Sequence, residues 1–481
     1  MLKNSAIILS GNLLARILGL LSTLIVARIL VPEDYGIIAA CLIVQDFATR
    51  LQKLGIQQNI VTHHSENDEM LSAAFALRFS FALVVTILVY FGADVAADFL
   101  EKDEVRPVLE LICWSFLIQG FFNLNITLQE KRQNFLPGVL TIFFAKLISV
   151  VVTIYLAITL NNYWALAIGM IVSDIAQVTL SYVFAKPYKP KLATWHELKD
   201  MMGFSKWIFL YQNVDFFNAK YFQIIISKVF DTKILGYFSL GSSLTLIYVS
   251  QVSSAIDKAN LSHLSDKLKN INKDERAIRV AENLNYVSDL KNVLIIPAYI
   301  CVAAYPELLI SIVLGPNWLE MAPFLTAFSM SMIIIGHNYT LVSIHTSLRQ
   351  PKICFHSSVI RSLCMIPLGI VAIYISSPLF LAYSSVAITV IGALYLLVYL
   401  SRQFGIEYFS SFYRSILYQF VKIVACLFFA WALGLPDRYE VILLLSLLLI
   451  MFFVEYKYAN SEAYKDLYEH SRSKLKVMFN K

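Results

Sequence analysis

Residues 16–55 read RILGLLSTLIVARILVPEDYGIIAACLIVQDFATRLQKLG. Two apolar helical runs meet at the tight turn Val31-Pro32-Glu33-Asp34-Tyr35-Gly36, and both runs carry charges. Arg16 falls near the middle of the first, Asp46 and Arg50 inside the second. A charge at the centre of a bilayer costs about 2.5–3.5 kcal/mol on insertion scales, so such residues tend to line an aqueous interior or a pathway. The stretch therefore predicts a membrane hairpin with an ionised face, and the remainder of the chain repeats and supports it.

Working outward, the 481 residues are 58% hydrophobic and only 15% charged. Soluble domains carry nearer a quarter charged residues, so the chain reads as an integral membrane protein almost throughout. At about 20 apolar residues per crossing, fourteen spans are expected, near 5–30, 35–55, 71–99, 105–127, 136–160, 162–185, 204–228, 234–257, 284–314, 322–348, 353–375, 379–400, 416–434 and 439–456. Cys41, Cys113, Cys301, Cys354, Cys364 and Cys426 all lie in apolar runs with no Cys-x-x-Cys pair, which predicts buried thiols behaving as small hydrophobes. The N-terminal run is too long for a signal sequence core and is interrupted by Asn12 and Arg16, so it reads as a retained first helix.

Loop charge sets the expected orientation. With the N-terminus inside, the cytoplasmic segments hold twenty-three Lys and Arg and the outer loops four, namely Lys102, Arg106, Lys233 and Arg438. That asymmetry predicts an even number of spans with both termini cytoplasmic. It also argues against nucleic acid as the reason for the formal charge of +6. The outer loops near 31–34, 100–104, 160–162, 229–233 and 315–321 are too short for an external catalytic domain. Residues 186–203, KPYKPKLATWHELKDMMG, open on spaced prolines and continue as a short amphipathic helix, the pattern of a linker between two halves. Lys258 to Asn283 reads as a solvated helical connector, and the basic tail after Glu455 as a surface-lying anchor. The acidic loop at His63-His64-Ser65-Glu66 reads as solvated rather than metal-binding.

A shift of 200 residues lays Ala27-Arg28-Ile29-Leu30 on Ser227-Lys228-Val229-Phe230, and Gly36-Ile37-Ile38-Ala39 on Gly236-Tyr237-Phe238-Ser239. Each is a basic residue at a helix end, a short turn, and a glycine opening the next helix. The expected fold is therefore an all-α polytopic membrane protein of about 14 transmembrane helices, with two pseudo-symmetric six-helix lobes in parallel repeat and two C-terminal helices. In residues, 1–185 form the N-lobe, 186–203 the linker, 204–400 the C-lobe, 401–456 the last two spans and 457–481 the tail.

Arg28, Lys53, Lys206 and Lys228 sit near helix ends and can snorkel. Arg16, Arg50, Arg78, Lys146, Lys220, Lys291, Arg361 and Lys422 lie deeper and outnumber Asp46, Asp174, Asp215, Asp257 and Asp289. Two readings compete. Each charge can pair locally, Asp46 with Arg50 at i,i+4 or Asp215 with Lys220, or the positives can line a cavity for an anionic ligand. The basic excess favours the second, with Arg16, Arg50, Lys146, Arg361 and Lys291 as the cationic candidates. Trp207 to Phe222, WIFLYQNVDFFNAKYF, alternates polar side chains with aromatic rings. Gln212, Asn213 and Asn218 there suit sugar hydroxyls, although ordinary interhelical hydrogen bonding explains them equally well. Asp46, Asp174 and Asp215 are candidates for proton or sodium coupling. Nothing resembles a phosphate-cradling glycine loop or a zinc helix, so neither ATP hydrolysis nor a cofactor or metal is expected.

The stretch VARILVPEDYGIIAACLIVQDFATRLQKLGIQQNIV resembles the opening of polysaccharide exporters, whose turn is followed by a helix ending in Leu-Gly, and ISKVFDTKILGYFSL resembles that family's second-half turn. The whole chain is similar to Wzx-type oligosaccharide flippases of the multidrug/oligosaccharidyl-lipid/polysaccharide exporter superfamily. The resemblance implies transport of an undecaprenyl-diphosphate-linked oligosaccharide from the inner to the outer leaflet of a bacterial cytoplasmic membrane, for O-antigen, capsule or exopolysaccharide assembly. It implies alternating access by rocking of spans 1–6 against 7–12, with Arg16 and Arg50, and more loosely Lys146 and Arg361, in a cationic cavity. Membrane lipids, a polysaccharide polymerase and chain-length proteins are the partners it suggests. The rivals are a cation-coupled multidrug antiporter on the same fold, which wants an acidic cavity, and a membrane-embedded polysaccharide enzyme. His337 and His345, about two turns apart on one span, keep the enzyme in play.

Overall fold

The computed structural model describes residues 2–53, 68–132, 134–186, 213–214, 216–267, 272–348 and 350–405. Among these there is no strand; the elements are helices and short turns. The described residues fall into two compact units, Met1–Ser239 and Leu240–Lys481. Among the described residues, seven helices are long and apolar enough to cross a membrane, and Leu14–Ala27 adds a shorter apolar one. The chain is a multi-pass membrane protein. The exposure of large apolar side chains along these helices, Phe91 and Val151 among them, is what a lipid-facing surface requires.

The first unit opens with α1 (Leu2–Ala27) and α2 (Pro32–Lys53). Pro32 opens α2, where a missing N–H costs nothing, and Glu33 and Asp34 place negative charge at its positive end. Asp34 also holds the turn together: its carboxylate accepts the Val31 N–H at 3.2 Å and the Tyr163 N–H at 2.9 Å. Beneath the turn, Val26 and Leu30 pack with Ala157 and Ala165. The long α3 (Asp68–Leu100) follows.

The span expected over 105–127 is not one helix. It divides into α4 (Val105–Ile112), α5 (Trp114–Gly120) and α6 (Asn125–Lys131). The break at Asn123 has a polar cause. Its side-chain amide donates to the carbonyls of Ser181, Ala185 and Lys186, and its backbone N–H donates to Ser181 Oγ at 3.1 Å. A tie to another helix terminus replaces the local ladder, which apolarity alone does not reveal. Two helices complete this part, α7 (Leu136–Leu160) and α8 (Trp164–Phe184), joined through Asn161 in the left-handed conformation that asparagine tolerates. They pack closely through small residues: Ser149 Oγ donates to Gly169 O at 2.9 Å, and a Cβ on Gly169 would fall on Thr153. Residues 216–229 are helical and precede α9 (Thr232–Lys267).

In the second unit α10 (Lys273–Ala304) is followed by α11 (Pro306–Val313), a 3-10 turn (Pro316–Met321), α12 (Ala322–Ser347), α13 (Pro351–Tyr374) and α14 (Pro378–Phe404). The ninth span, expected over 284–314, therefore stops at Ala304. Pro306 disfavours helical backbone at the residue before it, and Tyr305 turns out at φ −125°, ψ 52°. The Lys258–Asn283 connector is helical where described, as expected, but it is not simply solvated. Leu264, Ala277, Val280, Ala281 and Leu284 are buried against Leu341 and Ile344 of α12, Ile353 of α13 and Leu396, Leu397, Leu400 and Phe404 of α14. Apolar side chains at 277, 280, 281 and 284 give α10 one buried stripe beneath its charges. The 186–203 linker, spans thirteen and fourteen, the tail and the His63–Glu66 loop lie outside the described residues.

Candidate functional site

The first unit gathers most of the candidate cations. On α1, Arg16 is exposed. Gly19, one turn on, lies against Lys146 of α7: a Cβ at Gly19 would come within 3.0 Å of Lys146 Cε and 3.5 Å of its Nζ. The glycine is thus the gap through which the lysine crosses α1, and it puts an ammonium one helical turn from Arg16. Thr23, the next member of the polar stripe, returns its hydroxyl to Gly19 O at 3.0 Å.

On α2, Asp46, Phe47 and Arg50 meet the helix over 216–229. Asp46 Oδ2 lies 2.8 Å from Lys220 Nζ, the Phe47 and Phe216 rings are 5.4 Å apart at their centroids, and the Arg50 guanidinium sits 5.4 Å from the Phe216 centroid. Residues 216 and 220 are one turn apart, as are 46 and 50, so two short faces interlock charge to charge and ring to ring. Helical spacing offered Arg50 to Asp46 and Asp215 to Lys220; the observed Asp46–Lys220 pair joins 174 positions of sequence and no local rule could find it. Lys220, Phe216 and Phe47 are the residues of this face missed as site candidates. Asn213 and Asn218 are half-buried on the same stretch, whereas Gln212 and Asp215 lie outside the described residues.

Asp174 of α8 is a hydrogen-bond acceptor for Ser115 Oγ at 2.5 Å and Gln119 Nε2 at 2.9 Å, and Gln119 also donates to Gln177. Arg78, whose Nε donates to Gln119 O at 3.0 Å and whose guanidinium lies 5.1 Å from the Phe122 ring centroid, borders this network. The carboxylate is thus set in a polar cluster between α5 and α8.

In the second unit Lys291 is fully buried, and its three donors are all spent: Asp257 Oδ1 at 2.9 Å, Asp257 Oδ2 at 2.7 Å and Gly336 O at 2.8 Å. Thr340 adds a hydrogen bond to Asp257 Oδ1 at 3.3 Å. These contacts tie α9, α10 and α12 together through one ammonium. Arg361 of α13 lies along α14 at Gly392, where a Cβ would be 2.5 Å from its Cδ, and its Nη2 donates to Ser358 Oγ at 3.1 Å. His345 is engaged by Leu396 O at 3.1 Å and Gln350 Oε1 at 3.3 Å, and His337 is buried on α12. Among the described residues no three His, Cys, Asp or Glu side chains converge to hold a metal.

The 200-residue echo has a physical counterpart within the first unit. A Cβ on Gly36 would lie 1.9 Å from Thr232 O, and a Cβ on Gly236 would lie 2.0 Å from Pro32 O. Shifting 36 and 32 by 200 gives 236 and 232, so the two contacts are the same contact with the partners exchanged. The turns that open α2 and α9 cross backbone on backbone, which only glycine permits.

Comparison with known proteins identifies the family and the fold. The profile described as polysaccharide biosynthesis protein matches residues 25–323. The chain is 20% identical over 341 residues, 70% of its length and 67% of the relative's, to the succinoglycan biosynthesis transport protein ExoT of Rhizobium meliloti (strain 1021). It is 18% identical over 356 residues, 73% of its length and 70% of the relative's, to the lipopolysaccharide biosynthesis protein WzxC of Escherichia coli (strain K12). Its fold is like that of the lipid II flippase MurJ in an inward closed conformation, with TM-score 0.73 and 17% identity over 94% of this chain and 99% of that one.

Proposed function

We propose, given that the chain belongs to the polysaccharide biosynthesis protein family, that it flips an undecaprenyl-diphosphate-linked oligosaccharide repeat unit from the inner to the outer leaflet of the bacterial cytoplasmic membrane. It is a membrane transport protein of polysaccharide assembly rather than an enzyme, in keeping with its relatives. The observation that carries the finer reading is the concentration of cations on helices of the first unit: Arg16 and the adjacent Lys146, and Arg50 beside Lys220. A diphosphate is multiply anionic, and guanidinium and ammonium groups bind it far more strongly in a low-dielectric bundle than in water. Phe47, exposed next to Arg50 and packed on the buried Phe216, supplies a ring face for the proximal sugar. Asn213 and Asn218 supply amides. Arg361 is the second unit's proposed cation, and Lys291 is left out because its donors are taken.

The cycle is alternating access: the headgroup enters from the cytoplasm while its lipid tail stays in the bilayer, and differential binding to two states supplies the shift. The Gly36–Thr232 and Gly236–Pro32 crossing is the closed end of the pathway in this state. The test is to replace Arg16 and Arg50 by Ala in the native host, with protein level checked. Surface glycan is expected to fall at least tenfold while lipid-linked intermediates accumulate. Normal glycan in both variants would overturn the reading.

A further inference from the structure

Among the described residues, Lys291–Asp257 and Asp46–Lys220 are ion pairs between helices whose lysines are largely buried, and they differ in the exposure of the carboxylate. Lys291–Asp257 is sealed, its lysine side chain fully buried and its aspartate 14% exposed. Asp46–Lys220 is open on the acidic side: the lysine is 19% exposed and the carboxylate 45%. Among the described residues, the charged groups at that face are Asp46 and Arg50 on α2 and Lys220 opposite, two positive and one negative. Ala48, on another face of α2, packs with Val85, Val89, Cys113 and Phe116. Cys113 turns its thiol to Glu110 O, so it does not compete for Lys220.

Resting on the reading of this face as the headgroup site, we propose that Asp46 is an internal competitor for the cargo's phosphate. It holds Lys220 while the carrier is empty, yields it to phosphate oxygens on binding, and retakes it to expel the headgroup. No bond is made or broken; one anion replaces another beside the same ammonium. A diphosphate brings more negative charge than a carboxylate, and Arg50 supplies a second cation within the same face, so the incoming group wins where it can also reach Arg50. The competition limits affinity. A carrier that bound its cargo equally well in all states would shift nothing, and one that bound it too tightly would not release it.

The test uses the purified full-length chain in detergent with undecaprenyl diphosphate as probe. Asp46→Asn, which keeps shape and removes the competing charge, is expected to bind about tenfold tighter, the scale that close charge pairs reach in double-mutant cycles. Lys220→Gln is expected to bind about tenfold weaker. In the Lys220→Gln background, Asp46→Asn should tighten binding by much less than tenfold, because the acid no longer has Lys220 to hold and keeps only its weaker influence on Arg50. Asp46→Glu should restore wild-type affinity, which excludes a mere packing defect. In cells, Asp46→Asn should lower surface glycan at normal protein level, so that binding and turnover move in opposite directions. Wild-type binding combined with an Asp46→Asn variant that is unchanged or weaker overturns the competitor. Failure of the wild type to bind the lipid diphosphate overturns the functional reading and the competitor with it.

Discussion

A single buried amine shows how residues in this fold should be read. Lys291 has three acceptors for three donors, and its carboxylate partner is held in turn by Thr340. Lys291→Met leaves the Asp257 charge uncompensated inside the bundle, a loss of about 3–5 kcal/mol. The melting temperature in detergent should drop sharply, and the double variant Lys291→Met/Asp257→Leu should recover most of it; a double variant no better than the single one would refute the strut. The sequence marked Lys291 as a charge in an apolar run but ranked it with the ligand-binding cations. Its partner is on another helix, and pairing between helices leaves no periodic signature. The same holds for Asp46, whose reach to Lys220 was hidden behind the nearer Arg50. At this scale the sequence disclosed which charges sit in apolar runs and withheld whom they touch.

At the scale of elements the reading was better where apolarity decides and worse where backbone chemistry does. The hairpin of α1 and α2, the turns near 100–104, 160–162 and 315–321, and the helices α7, α8, α12, α13 and α14 fall close to where the hydrophobic runs placed them. The division at Asn123 and the stop before Pro306 were missed because a span was counted by its length in apolar residues, and a polar tie or a proline interrupts a run without lowering its hydrophobicity. The paired turns were legible as a repeat, and the structure adds that each glycine is required by the other turn's carbonyl. Gly36→Ala and Gly236→Ala should each cost about 1–3 kcal/mol by overpacking a backbone contact. Gly92→Ala, which meets nothing within 4 Å, should be neutral or slightly stabilising because it removes a glycine from a helix interior. Thermal unfolding of the three variants side by side checks this, and equal behaviour of all three would sink it.

For the whole molecule, membrane class and family were both legible, since composition and the Pro32–Gly36 turn carry them. The division into halves is proposed at 186–203, whereas the compact units meet between Ser239 and Leu240, inside α9. The difference is physical: the first eight residues of α9 belong with the α2 turn they cross. This predicts unequal tolerance of chain cleavage. Two fragments divided within 186–203 and co-expressed should restore surface glycan, while fragments divided between Ser239 and Leu240 should not, because that cut removes i to i−4 hydrogen bonds across a continuous helix. Equal rescue by both pairs would argue that the helix is not needed intact.

The crossing of the two turns has one more consequence. A contact in which residue 36 meets 232 and residue 236 meets 32 has the self-complementary form of a two-fold dimer interface. Between separate polypeptides so small a patch would dissociate on dilution. Carried by one chain, it forms at an effective concentration fixed by the tether and independent of expression level. On the proposed cycle, such a seam is weak enough to part each time and never loses the partner that must close it again.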